Sequence, residues 1–170
     1  VDQELDKELD KELDQELGKE LDQGRDQAFV VVNSDIWTDF PYQRLLDVAT
    51  GSMAQNRCSA HLVLIENPDH NLTGDFDLGA DGLVLPPKQQ QKSGAFTFSG
   101  ISVLKQALFK PFLTPDADHS LALYPVLLQA IKARQVSAEI YGGDCGDIGT
   151  PQRLEELDQK IRQIRELNKS

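Results

Sequence analysis

AFVVVNSDIWTDF, residues 28 to 40, is the stretch on which the reading of the fold turns. Phe29 to Val32 are apolar and mostly β-branched, the composition of a buried strand, and the run stops at Asn33-Ser34-Asp35 before Trp37 turns apolar again. A core strand that hands a carboxylate to the residue just past its end is a pattern of α/β proteins, whose sites lie beyond the carboxyl ends of the strands. Outward from it, the chain alternates strand and helix signals. YQRLLDVATG reads as a helix from Pro41, ended by Gly51, with Leu45, Leu46 and Ala49 on one side. AHLVLIEN, residues 60 to 67, reads as a second apolar strand. GDFDLGADGLVLPP reads as a hairpin turning at Asp81-Gly82. FTFSGISVLK, residues 96 to 105, is a third strand, with Phe96, Phe98 and Ile101 as its packing residues. A helix that starts or breaks near Pro125 follows, and then a strand running into the Gly-rich SAEIYGGDCGDIGTP. Thr150 as N-cap and Pro151 at the first helical position open a last helix, with Leu154, Leu157, Ile161 and Ile164 on its apolar face. Strands alternating with helices predict an α/β fold built as layers on a mixed sheet.

The segment before this stretch has a different character. Residues 1 to 26 form an acidic, low-complexity tetrapeptide repeat with leucine at every fourth position from Leu5 to Leu21. On a helix of 3.6 residues per turn that stripe drifts by about 40° per repeat, so it winds round the axis and holds no face against a core. A solvated helix and disorder both remain open for it, and little packing of Leu9, Leu13 and Leu17 is expected. The segment has eleven acidic and four basic residues, which is −7 of the chain's formal −11. Residues 27 to 170 form one domain, a size ample for a core at 39% hydrophobic residues overall. No concentrated basic face is visible, which argues against nucleic acid as a partner. No apolar run is long enough to span a bilayer, and the chain has no signal-type start, so a cytoplasmic protein is expected. Cys58 and Cys145 are far apart in sequence and read as two reduced thiols. His61, His70 and His119 show no spacing of a metal site or triad. The DFD at 75 to 77 lies in the hairpin pattern and reads as chance likeness to a metal-binding DxD.

Asp35 and Asp147, each near a strand end, are the candidate metal ligands. Two converging carboxylates supply the hard oxygen ligands that Mg²⁺ requires, and Mg²⁺ commonly takes substrate phosphates as further ligands. That pairing points to phosphoryl or nucleotidyl transfer. An Asp after a strand is more often a turn or helix-capping residue, and spacing alone leaves both readings open.

Four segments, VVVNSDIWTDFPYQRLL, AHLVLIENPDHNLTGDFDL, FTFSGISVLKQALF and YGGDCGDIGTPQRLEEL, resemble in order and spacing the second half of the bacterial sugar-phosphate nucleotidyltransferases. The closest likeness is to the branch that uridylylates N-acetylmuramate 1-phosphate in peptidoglycan recycling. The resemblance implies the nucleotide-diphospho-sugar transferase type of sheet, here incomplete, with residues 27 to 170 as the sugar-phosphate half. It implies transfer of UMP from UTP to a sugar 1-phosphate, with Mg²⁺ held by Asp35, from the family's Asn-Gly-Asp, and Asp147, from its Asp-Ile-Gly-Thr-Pro loop. Asn33, Gly74, Asp75, Ser99 and Gly100 match positions that line the substrate pocket. Ser34 stands where the family has Gly, and Cys145 where it usually has Trp. The family's Gly-rich loop with its Arg and Pro-Lys-Pro, which cradles the triphosphate, has no counterpart among the 170 residues. The resemblance therefore implies a chain inactive by itself, with a non-catalytic sugar-phosphate-binding remnant or an interaction module as the alternative. Because the family flanks the AFVVVN strand with strands of the other half, it also implies self-association through an exposed sheet edge.

Overall fold

The structure is a computed structural model that describes residues 27–55, 57–69, 71–86, 95–113 and 121–167. The expectations for residues 1 to 26, His70 and His119 lie outside the described residues.

The four apolar strands form one mixed sheet. β1 (Ala28–Val32), β3 (Ala60–Glu66), β6 (Phe96–Lys105) and β7 (Val136–Ile140) are ordered β1-β6-β3-β7. β6 runs antiparallel to both β1 and β3, whereas β3 and β7 are parallel. A parallel pair needs a crossover, and α2 (Leu123–Lys132) supplies its last leg. The layered mixed α/β architecture expected from the sequence is what forms.

Strand periodicity explains the two cores. Along β3, Ala60, Leu62 and Leu64 point to one face, where they meet Val126, Leu127, Ala130 and Ile131 of α2. Val63 points to the other face, toward Leu45 of α1 (Gln43–Val48), Phe40 and Met53. Both faces are covered, which is why β3 reads as a continuous apolar run. His61 shares the Val63 face. Its Nδ1 lies 2.9 Å from the Ser137 hydroxyl and its Nε2 lies 3.5 Å from Glu139, which Arg44 also contacts. Burial lowers the pKa of His61 below its ordinary value, against the pull of Glu139, so it packs as a neutral ring.

The first helix departs from the sequence reading. It does not end at Gly51, because a π-helical turn carries it through Ala49–Met53. The added residue per turn brings Met53 inward, fully buried beside Leu45, and leaves Leu46 exposed. The hairpin forms as expected, with β4 (Asp77–Leu78) and β5 (Val84–Leu85) joined through Gly82 at φ 76°. The last helix, α3 (Pro151–Leu167), starts where Thr150 caps it, its hydroxyl accepting the Arg153 N–H at 3.3 Å. Its apolar face is only partly covered, with Leu154 and Ile164 exposed.

Two short strands escape the sequence patterns: β2 (Ile36–Thr38) and β8 (Cys145–Asp147) pair antiparallel as a separate ribbon. What reads as a Gly-rich loop after β7 is thus partly a strand.

Candidate functional site

The β2–β8 ribbon closes one crevice and sets the positions of both candidate ligands. Its register places Ile36 opposite Asp147, and the Ile148 N–H donates to the Asp35 carbonyl at 2.7 Å. Three further bonds hold the ribbon shut: Asp39 N–H to the Asp144 carbonyl at 3.1 Å, the Thr38 hydroxyl to that same carbonyl at 2.9 Å, and the Tyr141 phenol to Asp39. The Asp39 carboxylate favours the protonated phenol and pushes the Tyr141 pKa up to about 12, so this donor persists across the physiological range.

In a regular ladder neighbouring positions point to opposite faces, which would part the two carboxylates. Asp35 lies instead in a turn, closed by the Ile36 N–H on the Asn33 carbonyl at 3.3 Å. Asp147 is followed by the reversal at Gly149, whose N–H donates to Asp147 Oδ1 at 2.7 Å. The outcome is convergence. A Cβ added to Gly149 would stand 3.0 Å from Asp147 Oδ1 and 3.0 Å from Asp35 Oδ2. Both oxygens therefore surround a single point that glycine leaves open. Arg153, on the first turn of α3, donates to Asp147 Oδ2 at 2.8 Å.

The crevice floor is β6. Between Leu62 and Leu64 the β3–β6 register slips, so that Ser99, Gly100 and Ile101 together face Val63 alone. Ser99 is buried and its hydroxyl donates to the Val63 carbonyl at 2.8 Å. Gly100 takes φ 83°, and an added Cβ would meet Asn33 Nδ2 at 2.9 Å and Ile36 Cγ1 at 3.0 Å. The Asn33 N–H donates to the Gly100 carbonyl at 2.9 Å, which seats the Asn33–Asp35 turn on the bulge.

Asn33, Asp35, Ser99, Gly100 and Asp147 thus line one crevice with Ile36, Ile65, Thr97, Phe98 and Cys145. Gly74 and Asp75 are not among its lining residues. Asp75 accepts the Phe98 N–H at 2.9 Å and the Asn71 amide at 3.3 Å, so it ties the segment before β4 to the floor strand. The same Asn71 amide donates to the Thr97 hydroxyl at 3.2 Å, linking Asp75 to the crevice wall through one side chain. Arg153 and Thr97 are the two polar residues at the site that sequence reasoning did not single out. An Arg two positions after Thr-Pro could have been noted as reaching back over the first helical turn.

The volume of about 170 Å³ is below the ~300 Å³ at which pockets for drug-sized ligands begin. It suits a hydrated cation and a phosphate group rather than a whole nucleotide sugar. Burial raises the Cys145 pKa, so this thiol in the wall is protonated at neutral pH. No group of three or more His, Cys, Asp or Glu side chains converges among the described residues. Two carboxylates without a third protein ligand fit Mg²⁺, which keeps water and phosphate in its remaining positions.

No protein-family model matches the chain. It is 35% identical over 130 residues to the N-acetylmuramate alpha-1-phosphate uridylyltransferase of Neisseria meningitidis serogroup B, covering 76% of this chain and 53% of that protein. The chain thus spans about half the length of this curated relative. Among solved structures, one described as a glucose-1-phosphate thymidylyltransferase from Bacillus anthracis, in complex with sucrose, superposes with TM-score 0.63 at 18% identity, over 87% of this chain and 60% of that one. Apo UDP-glucose pyrophosphorylase superposes with TM-score 0.56 at 15% identity, over 82% and 56%. At such identities the structural likeness speaks for the fold. Among the described residues no helix is long and apolar enough to cross a membrane.

Proposed function

We propose that this chain, similar in sequence to an N-acetylmuramate alpha-1-phosphate uridylyltransferase and in fold to sugar-1-phosphate nucleotidyltransferases, is the sugar-phosphate and metal half of such an enzyme. The reaction is transfer of UMP from UTP to N-acetylmuramate 1-phosphate or a similar sugar 1-phosphate, in the cytoplasm. The observation that carries this reading is the convergence of Asp35 and Asp147 on one point above the β6 bulge. The two carboxylates would hold Mg²⁺, which when bound offsets phosphate charge and holds the reacting groups in line. The chain's own contribution is positional: the ribbon fixes the distance between Asp35 and Asp147, and the bulge at Ser99 and Gly100 opens space beneath them. Gly74 and Asp75 support that floor from the side, at the edge of the region where the sugar would lie.

The described residues and the full sequence offer no Gly-rich, basic loop to orient a triphosphate. Electrostatic positioning is nearly all that such enzymes contribute to transfer, so its lack is decisive for activity. The purified 170-residue chain, incubated with UTP, Mg²⁺ and N-acetylmuramate 1-phosphate, is expected to release no pyrophosphate above background. Turnover by the wild type that vanishes on Asp35→Ala would show that this half suffices and would overturn the proposed dependence on a separate triphosphate cradle.

Arg153 modulates the same site. Its fixed positive charge sits on one of the two ligands and opposes a second cation there. At about 5 Å from a divalent cation, an effective dielectric of 20 to 80 gives a repulsion on the order of 2–7 kcal/mol, the lower end applying to a side chain as exposed as Arg153. Arg153→Gln is expected to tighten Mn²⁺ binding by roughly tenfold, read by electron paramagnetic resonance of free Mn²⁺. Weaker binding in the variant would mean that Arg153 serves to orient Asp147 and that this outweighs its repulsion.

A further inference from the structure

Thr97 of β6 is only 8% exposed, and it lies in the crevice wall beside Ile65, Pro68 and Phe98. A hydroxyl so placed needs partners, and it finds them in the segment from Asn67 to Asp75 that leads from β3 to β4. The direction of each bond there follows from one group. A carboxylate only accepts, so Asn71 turns its NH₂ toward Asp75 Oδ1, at 3.3 Å. The same nitrogen donates to the Thr97 hydroxyl oxygen at 3.2 Å. Thr97 has a single proton, which it gives to Asn67 Oδ1 at 2.9 Å. Asn67 in turn presents its own NH₂ to the Leu72 carbonyl at 3.3 Å. Asn71 Oδ1 accepts the Thr73 hydroxyl at 3.3 Å, and the other Asp75 oxygen returns the network to β6 by accepting the Phe98 N–H.

Main-chain bonds shape the same segment. The Asn71 N–H donates to the Pro68 carbonyl at 2.8 Å and the Gly74 N–H to the Asn71 carbonyl at 3.1 Å, with Gly74 at φ 61°. These turns are internal to the segment and do not fasten it to the sheet. Leu72 points to solvent at 74% exposure, so apolar burial contributes little to holding it. Phe96, Thr97 and Phe98, consecutive on β6, are the anchors: the Phe96 carbonyl accepts the Asp75 and Phe76 N–H groups, and Thr97 reaches both Asn67 and Asn71.

We propose that Thr97 is a positioning residue for the sugar 1-phosphate, its hydroxyl holding the Asn67–Asp75 segment, with Pro68, as a preformed wall of the crevice that Asp35 and Asp147 line. This inference rests on the sugar-phosphate reading of the site. A wall ordered in advance does not have to be ordered by the substrate, and that is how a residue acting through its neighbours raises affinity. Removing the hydroxyl leaves an Asn67 oxygen and an Asn71 N–H without their shared partner, and both turn to water as the segment loosens.

Thr97→Val, which keeps the branched shape, and Thr97→Ser, which keeps the hydroxyl, test this in the full chain. Hydrogen exchange of the Asn71 and Gly74 amides is expected to quicken at least about tenfold in Thr97→Val and to stay within about threefold of the wild type in Thr97→Ser. Calorimetric titration with N-acetylmuramate 1-phosphate in the presence of Mg²⁺ should show roughly tenfold weaker binding by Thr97→Val and near wild-type binding by Thr97→Ser. Mn²⁺ affinity, which reads Asp35 and Asp147, should be equal in all three proteins. Unchanged exchange in Thr97→Val, or a Thr97→Ser variant that behaves like it, overturns the role of the hydroxyl and leaves the reading of the site standing. Faster exchange with sugar-phosphate affinity unchanged, or Mn²⁺ affinity lost alongside it, overturns the positioning role. A wild type that binds Mn²⁺ but no N-acetylmuramate 1-phosphate overturns the sugar-phosphate reading, and the positioning role with it.

Discussion

Asp35→Asn and Asp147→Asn should each weaken Mn²⁺ binding on the order of 100-fold while leaving the fold intact. Each change removes one of two anionic ligands, and a divalent cation held by few protein oxygens depends strongly on their charge. Asp35 is exposed in its turn, so its replacement disturbs no packing. In the Asp147→Asn variant the side-chain amide oxygen can still accept the Gly149 N–H, which keeps the reversal that Asp147 now holds at 2.7 Å. Calorimetric titration with Mn²⁺, beside a thermal melt of each variant, separates loss of ligand from loss of fold. Affinity unchanged in either single variant, with a normal melt, would remove that residue from the metal site. Gly149→Ala is a variant of the same test, because its added Cβ would lie 3.0 Å from both carboxylates and push them apart.

Gly100→Ala should be strongly destabilising, more so than glycine changes at open positions among the described residues. Left-handed backbone disfavours an L side chain by ~1–2 kcal/mol, and crowding within a packed sheet adds roughly 1–3 kcal/mol. Both apply here: φ is 83°, and the new Cβ would meet Asn33 Nδ2 at 2.9 Å and Ile36 Cγ1 at 3.0 Å. The expected fall in Tm is on the order of 10 °C for a domain of this size. Gly51→Ala is the matched control, since its Cβ would have nothing within 4 Å, and its Tm should hold or rise. Equal melts for the two variants would refute the claim that the bulge at Gly100 is a tight seat for the Asn33–Asp35 turn. Loss of Mn²⁺ affinity in Gly100→Ala is a secondary expectation, because displacing Asn33 displaces Asp35 two residues on.

Much of the fold was legible because its long strands carry their own signal. The run in β3 is apolar on both faces, and that composition marks it as a central strand, while β6 is marked by its packing residues Phe96, Phe98 and Ile101. Asp81-Gly82 announced its turn, and Thr150-Pro151 announced the start of α3, since each rests on chemistry within four residues. The first helix was misjudged at its end because nothing local distinguishes an α-helical stop at Gly51 from a π-turn that continues to Met53. The burial of Met53 against Phe40 and Leu45 decides between them, and that contact is tertiary.

The site divides along the same line. Asp35 and Asp147 could be named from strand-end position and from family likeness, and Asn33, Ser99 and Gly100 from family likeness alone. Arg153 drew no notice, since its role depends on where Asp147 points. The sequence by itself determined the layered α/β class and the central strands, because those follow from short-range periodicity and composition, while the two carboxylates were singled out among other aspartates by the family likeness. Only the tertiary structure decided that the carboxylates meet. β2 and β8 have three residues each, too few to show a period, and they are held by bonds such as Thr38 to Asp144, 106 residues apart. A pairing across that separation is selected by the packing of the whole sheet beneath it, and no local pattern along the chain encodes it.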